Sequence, residues 1–241
     1  MILTLAWVAA VSAVAAYYLG CLNGAIITSH TFYGEDIREK GSGNAGLTNF
    51  YRVYGKRHIA LVLLVDVLKA VLAVLLGGAL FRWQLDGAGF GTGVLNWRVA
   101  HGLYGAYWAA LWVIVGHNYP YMHKFRGGKG ILCAGTLLIL LDWRIALVGW
   151  GTFILLAALT SYVSLGSVAG TVTFPMMTFF IFREQDPYYI LFALSLITAA
   201  IVVWAHRGNI QRLAEGNERK FRFHRDEEKT EDLHNKDSEN S

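Results

Sequence analysis

The feature that most constrains this chain is its alternation of long apolar runs with short polar loops. Mostly apolar runs cover about 2–28, 59–81, 101–117, 131–142, 145–160, 167–183 and 188–205. A helix needs roughly 20 such residues to cross the hydrocarbon core of a bilayer. Inside lipid a spanning segment must satisfy its own backbone hydrogen bonds, so runs of this length fold as helices. The expected fold is an all-α integral membrane protein with seven transmembrane helices. The fourth run, opening Gly130-Ile131-Leu132, is short enough for a half-helix, and Asp142-Trp143-Arg144 leaves room only for a hairpin before the fifth. A five-span arrangement with some runs re-entrant is the competing fold. The N-terminus shows no basic region and no obvious cleavage site, so residues 2–20 read as a retained span rather than a signal peptide.

Composition agrees with a membrane solvent. Hydrophobic residues make up 55% of the 241 and charged residues only 16%, against about 25% charged in an ordinary soluble domain. Many of the 8 Trp and 12 Tyr stand near the ends of apolar runs, where amphipathic rings favour the bilayer interface. Cys21 and Cys133 both lie in or beside apolar runs, which implies no disulfide framework.

Loop charge sets the expected orientation. With seven spans, one side carries Arg38, Lys40, Arg52, Lys56, Arg57, Lys124, Arg126 and Lys129, together with eight basic residues from Arg207 to Lys236. The other carries only Arg82, Arg98, Arg144 and Arg183. Basic loops stay in the cytoplasm, so the N-terminus is expected outside and the C-terminus inside. The Gly-rich stretch 82–100 then faces outward as a flexible connector. Residues 221–241 alternate in charge without apolar periodicity and are expected to form a disordered tail, leaving 1–220 as a single transmembrane domain. No internal repeat is visible.

The polar loops on the basic side carry the chemistry. The first runs from Asp36 to Asn49 and closes with Arg52. Gly41, Gly43 and Gly46 allow close backbone approach, Ser42, Asn44, Thr48 and Asn49 offer hydroxyls and amides, and Arg38, Lys40 and Arg52 add positive charge. Backbone N–H groups with cations behind them suit phosphate; a polar loop rich in Gly and Asn for turn reasons is an equal alternative. The second loop, Gly116 to Gly130, ends in Gly127-Gly128-Lys129-Gly130 at the start of an apolar run, which again sets N–H groups beside an ammonium. It is no P-loop, because His123 stands where Gly is required and Gly130 where Ser or Thr is required. A third loop, Thr160 to Ser167, brings Ser164 and Ser167. A fourth, His206 to Arg212, brings Asn209 and places His206 either as a general base or as an interfacial polar residue. Within the second span, Asp66 and Lys69 are three apart and share a helix face, as an ion pair or as ligands.

At this point the chain resembles the acyl-phosphate glycerol-3-phosphate acyltransferases of bacterial phospholipid synthesis, the PlsY family. The likeness is carried by Gly41 to Asn49 with Arg52, by Asp66 to Lys69, by Gly116 to Gly130, by Thr160 to Ser167 and by His206 to Glu218, over residues 17–220. It departs at Cys21-Leu22-Asn23, where the family usually has Ser-Ile-Pro, and in a longer 82–100 loop. The resemblance implies transfer of a fatty acyl group from acyl phosphate to the 1-hydroxyl of glycerol 3-phosphate, giving 1-acyl-glycerol 3-phosphate and phosphate. It implies Ser42, Arg52, Lys129, His206 and Asn209 as catalytic residues, and Gly41, Gly43, Asn44, Thr48, Gly127, Gly128, Ser164 and Ser167 as phosphate-binding residues. No cofactor, metal or nucleic acid is expected, no obligatory general base is implied, and a monomer in the bacterial plasma membrane with its site on the cytoplasmic side is anticipated.

Two rival functions meet the same residues. An acyltransferase of the His-x4-Asp type fails on spacing, since five residues stand between His30 and Asp36 and the four-residue spacing lands on Glu35. A transporter of phosphate or a phosphate ester would line a path through the membrane, yet the phosphate-suited loops all fall on one side.

Overall fold

The computed structural model describes residues 2–99 and 101–221. Within the described residues eleven helices follow one another: α1 (Ile2–Cys21), α2 (Gly24–Tyr33), α3 (Leu47–Tyr54), α4 (Ile59–Leu85), α5 (Phe90–Leu95), α6 (His101–Asn118), α7 (Ile131–Leu141), α8 (Trp143–Thr160), α9 (Val163–Phe182), α10 (Tyr188–Ala205) and α11 (Arg207–Ala214). Short 3-10 turns at Ile37–Glu39 and Tyr121–His123 sit in the first and second loops. All but the first residue of the expected tail 221–241 lies outside the described residues.

Each of the seven apolar runs is helical, but among the described residues only five helices are long and apolar enough to cross a membrane: Ile2–Tyr33 taken through its break, α4, α8, α9 and α10. The two others differ for different reasons. At 11 residues α7 is short. The 18-residue α6 is the central helix, packed against α1, α4, α7 and α10. A helix so enclosed needs small residues at its contacts more than lipid-facing bulk. Gly20 meets Gly116 there, and a Cβ on Gly116 would fall 2.1 Å from the Tyr17 carbonyl oxygen. The outer faces of the bundle carry exposed apolar side chains such as Leu64, Leu68 and Leu72 at one helical spacing along α4, as suits contact with acyl chains.

Two expectations about element boundaries are corrected. The first run is not one helix: α1 ends at Cys21 and Asn23 caps α2, its side chain accepting from the Ile26 amide at 3.0 Å. The break is stable because buried Asp66 and Lys69 bond the groups it exposes. The Lys69 ammonium donates to the carbonyls of Gly20 (3.2 Å) and Leu22 (2.6 Å), and the Gly24 amide donates to Asp66 Oδ1 (3.2 Å). A cation on the last carbonyls and an anion on the first amide match the two helix dipoles. The connector after α4 is also not a plain loop: it holds α5, with Arg82 donating to the Asn96 carbonyl at 2.9 Å.

Candidate active site

The four polar loops converge on one cavity of about 930 Å³ at one end of the bundle. Four helices begin on its wall: α3 at Leu47, α7 at Ile131, α9 at Val163 and α11 at Arg207. None of the four has a side-chain cap on its first amides. Unsatisfied N–H groups and the positive ends of four helix dipoles therefore point toward one space. That arrangement selects an anion.

The first loop is shaped by Asn49, 1% exposed, on α3. Its Oδ1 accepts from the Ser42 amide at 2.8 Å, and its Nδ2 donates to the carbonyls of Lys40 (3.1 Å) and Ile37 (3.3 Å). Gly41 and Gly43 have φ of 59° and 72°, a region that only glycine enters at little cost. Ser42, Asn44 and Thr48 thereby reach the cavity wall. Arg52, expected in a loop, stands in the second turn of α3 and lines the cavity. Among the described residues its guanidinium has no hydrogen bond or ion pair. Arg38 and Lys40 are elsewhere. Arg38 forks onto Asp36 and donates to the carbonyls of His123 (2.8 Å) and Arg126 (3.0 Å), which ties the first loop to the second. Lys40 pairs with Glu35 at 3.3 Å.

In the second loop Lys129 and Gly130 line the cavity, whereas Gly127 and Gly128 do not. The amides expected to hold phosphate are already used: Gly127 N–H donates to the Asn118 carbonyl and Gly128 N–H to the His117 carbonyl, both at 3.1 Å. These glycines serve close packing instead. A Cβ on Gly128 would meet the Ala45 carbonyl oxygen at 2.4 Å. Ser164 and Ser167, expected in a loop, lie in the first turns of α9, and Asn209 lies in α11.

Glu218 was not singled out from the sequence, and it organises this wall. Its Oε1 accepts from Ser164 Oγ (2.7 Å) and Asn209 Nδ2 (2.6 Å), and its Oε2 from Arg212 Nε (2.8 Å). Asn209 in turn accepts from the Lys129 ammonium through Oδ1. Burial alone would raise the Glu218 carboxyl, but bonds from Asn209, Ser164 and Arg212 outweigh it and hold the carboxyl below its ordinary value. Burial, helped by Arg212, lowers Lys129 to about 8. Residues 218–221 then run along the rim, where the Phe221 amide donates to the Ser161 carbonyl at 2.8 Å.

His206 ends α10 and faces the cavity. Its Nδ1 lies 2.8 Å from the Val202 carbonyl oxygen, so Nδ1 carries the proton and Nε2 is left as an acceptor. Burial lowers His206 to about 4, which makes it a neutral, weak base at pH 7. Beside this polar chamber lies an apolar slot of about 50 Å³ between α7, α8, α9 and α10. Ile131, Trp150, Phe153 and Ser167 belong to both walls. The hydroxyls in the slot, Ser167, Thr171 and Thr198, donate to the carbonyls of Val163, Ser167 and Leu194 in their own helices and leave its surface largely apolar.

An anion chamber opening onto an apolar slot is suited to an amphipathic phosphate ester, and comparison with known proteins gives the lineage. The family model described as glycerol-3-phosphate acyltransferase matches residues 10–216. The chain belongs to the glycerol-3-phosphate acyltransferase family. A family member from Thermoanaerobacter sp. (strain X514) is 37% identical over 213 residues, covering 88% of this chain and 96% of the relative. Another, from Clostridioides difficile (strain 630), is 40% identical over 209 residues, covering 87% and 93%. Among solved structures, the glycerol 3-phosphate form of PlsY, an integral membrane glycerol 3-phosphate acyltransferase, superposes with a TM-score of 0.70 at 27% identity, covering 89% of this chain and 96% of that one. A second solved structure of PlsY, the lysophosphatidic acid form, superposes with a TM-score of 0.68 at 25% identity, covering 89% of this chain and 95% of that one. With its apolar helices, this family member is a multi-pass membrane protein.

Proposed function

We propose that this chain transfers a fatty acyl group from acyl phosphate to the 1-hydroxyl of glycerol 3-phosphate, releasing 1-acyl-glycerol 3-phosphate and inorganic phosphate. The observation that carries the reading is the single chamber walled by four uncapped helix N-termini, Arg52 and Lys129, opening directly onto an apolar slot. Two phosphates meet the helix ends and cations, and the acyl chain enters between Trp150 and Phe153.

The hydroxyl oxygen attacks the acyl carbonyl carbon, the carbon–oxygen bond to phosphate breaks, and the hydroxyl proton ends on the departing phosphate. Little activation is needed, because the acyl phosphate is already a mixed anhydride. Catalysis rests on positioning and on charge placed where it develops. His206 Nε2 accepts the glycerol hydroxyl and orients it; held near a pKa of about 4 by burial, the ring is too weak a base to keep the proton. Arg52 and Lys129 neutralise phosphate charge. Asn209, fixed between Glu218 and Lys129, turns its amide to the same space. Ser42, Thr48, Ser164 and Ser167 offer hydroxyls, Gly41, Gly43 and Asn44 shape the first loop around them, and Gly127 and Gly128 allow the second to pass close beneath.

Residues 1–220 form the transferase domain and work as a monomer. Seven helices cross the bacterial plasma membrane with the N-terminus outside and the chamber facing the cytoplasm, as the asymmetry in loop charge supports. No observation favours the transport reading. The test is the donor: purified protein is expected to acylate labelled glycerol 3-phosphate from acyl phosphate and to ignore acyl-CoA. Equal rates from acyl-CoA would overturn the proposed donor.

A further inference from the structure

Beneath the chamber lies a buried polar cluster that this mechanism does not use. On α4, Lys69 Nζ sits 2.7 Å from Asp66 Oδ1, each side chain 1% exposed. Lys69 Nζ is also 2.7 Å from Nδ1 of His117, at the end of α6, and Cys133 Sγ is 3.7 Å from the same nitrogen. Asp66, His117 and Cys133 bring one ligand atom each within 4.8 Å of one another, which by residue type resembles a metal site. The lysine ammonium fills the place a metal would take, bonded to both carboxylate and imidazole. The cation of this cluster is Lys69.

An ammonium donates hydrogen bonds and accepts none. His117 Nδ1 must therefore be the unprotonated nitrogen, and the ring proton is on Nε2. His117 and Asp66 form part of the chamber wall. Among the described residues Nε2 has no hydrogen-bond partner, yet it is not one of the polar atoms sealed away from solvent without one. It lies against the second loop, where a Cβ on Gly128 would come within 2.3 Å of it. This tautomer is the opposite of that of His206, whose Nδ1 is the protonated nitrogen.

We propose that His117 is a further substrate-binding residue: its Nε2–H donates to a phosphate oxygen held at the start of α7, and Lys69 with Asp66 acts as a positioning pair that fixes the donor tautomer. The phosphate is that of one of the two substrates, and the inference rests on the chamber being the phosphate site proposed above. His206 would then accept from the hydroxyl while His117 donates to the anion, each role set by what holds its other nitrogen.

The first experiment needs no turnover. With ¹⁵N-labelled histidine in the full-length protein, in nanodiscs, the resonance lost in His117→Gln is expected to report the Nε2-protonated tautomer and to shift on titration with inorganic phosphate. A protonated Nδ1, or no response to phosphate or to either substrate, would overturn the proposal whether or not the protein makes lysophosphatidic acid. Kinetics form the second arm. His117→Leu is expected to raise KM for one substrate about ten- to a hundred-fold, as for loss of a bond to a charged group, with varied glycerol 3-phosphate and varied acyl phosphate showing which. His117→Gln, which keeps an N–H donor, is expected to recover most of that loss. Wild-type kinetics in folded His117→Leu would overturn the proposal. The Asp66→Asn/Lys69→Met double change removes both charges together, so neither is left buried alone. It is expected to mix the His117 tautomers and to add less than about two-fold to the His117→Leu defect, because coupled residues are not additive. An unchanged tautomer in that variant would remove the pair from the positioning role.

Discussion

At the scale of single residues, the chamber separates two cations by what surrounds them. Arg52 is unpaired among the described residues and offers a planar fork that can grip phosphate bidentately. Arg52→Lys keeps the charge and loses the fork, so KM for glycerol 3-phosphate is expected to rise about ten-fold or more, on the scale of a charge-assisted hydrogen bond. Wild-type kinetics in Arg52→Lys would take Arg52 out of the site. Lys129 is distinguished by pH. In the proposed reaction its ammonium meets phosphate, and burial lowers its pKa to about 8 from 10.5. The cation is present below that value and lost as pH rises through it, so kcat/KM is expected to fall above about pH 8. Lys129→Arg should retain a cation past that point, and a pH profile of each variant checks this. Stability runs the other way: between about 8 and 10.5 the unfolded chain holds the proton that the folded chain has released, so folding is favoured as pH rises there. That Ser42, Arg52, Lys129 and His206 line one cavity was legible to the extent that polar residues between apolar runs stand out, Ser42 and Lys129 all the more for the glycines on either side of them. Glu218 was not, since a carboxylate in a charged C-terminal stretch looks like any solvated charge until Ser164, Asn209 and Arg212 are seen around it.

At the scale of elements, apolar length alone located α1, α4 and α6–α10, because lipid enforces the hydrogen-bonding rule that makes such runs helical. It could not locate α3 and α11. Eight-residue helices are too short to be stable alone and depend on tertiary contacts, so their residues read as loop. The break at Asn23 was equally hidden, for its cause lies 40-odd positions away in Asp66 and Lys69. Where α7 to α10 meet, the slot predicts a measurable chain-length effect. Ala134 on α7 lines it without belonging to the polar chamber. Ala134→Phe is expected to cut kcat/KM for long acyl phosphates more than for short ones, with KM for glycerol 3-phosphate unchanged. Equal losses across a series of chain lengths would mean that the acyl group lies elsewhere.

At the scale of the whole molecule, loop charge predicts which way the bundle crosses the membrane, and the structure supplies clean positions for testing it. The native Cys21 and Cys133 are buried, so they give little background to thiol reagents. Gly91, in the connector between α4 and α6, has no atom within 4 Å of an added Cβ, so cysteine fits there without strain. Arg57, in the turn between α3 and α4, is exposed on the chamber side, and only α4, 27 residues long, separates the two positions. If loop charge directs insertion, Gly91→Cys in intact cells should react with a membrane-impermeant maleimide and Arg57→Cys should react only after the cells are opened. The same test extends to the other polar turns. Arg183→Cys, between α9 and α10, should behave like Gly91→Cys, and Tyr121→Cys, in the second loop and 65% exposed, like Arg57→Cys. Seven crossings require all four results together. Labelling of Arg57→Cys from outside would reverse the orientation and put the chamber on the wrong side for a cytoplasmic acyl donor. Labelling of Gly91→Cys and Arg57→Cys from one side only would show that α4 does not cross at all.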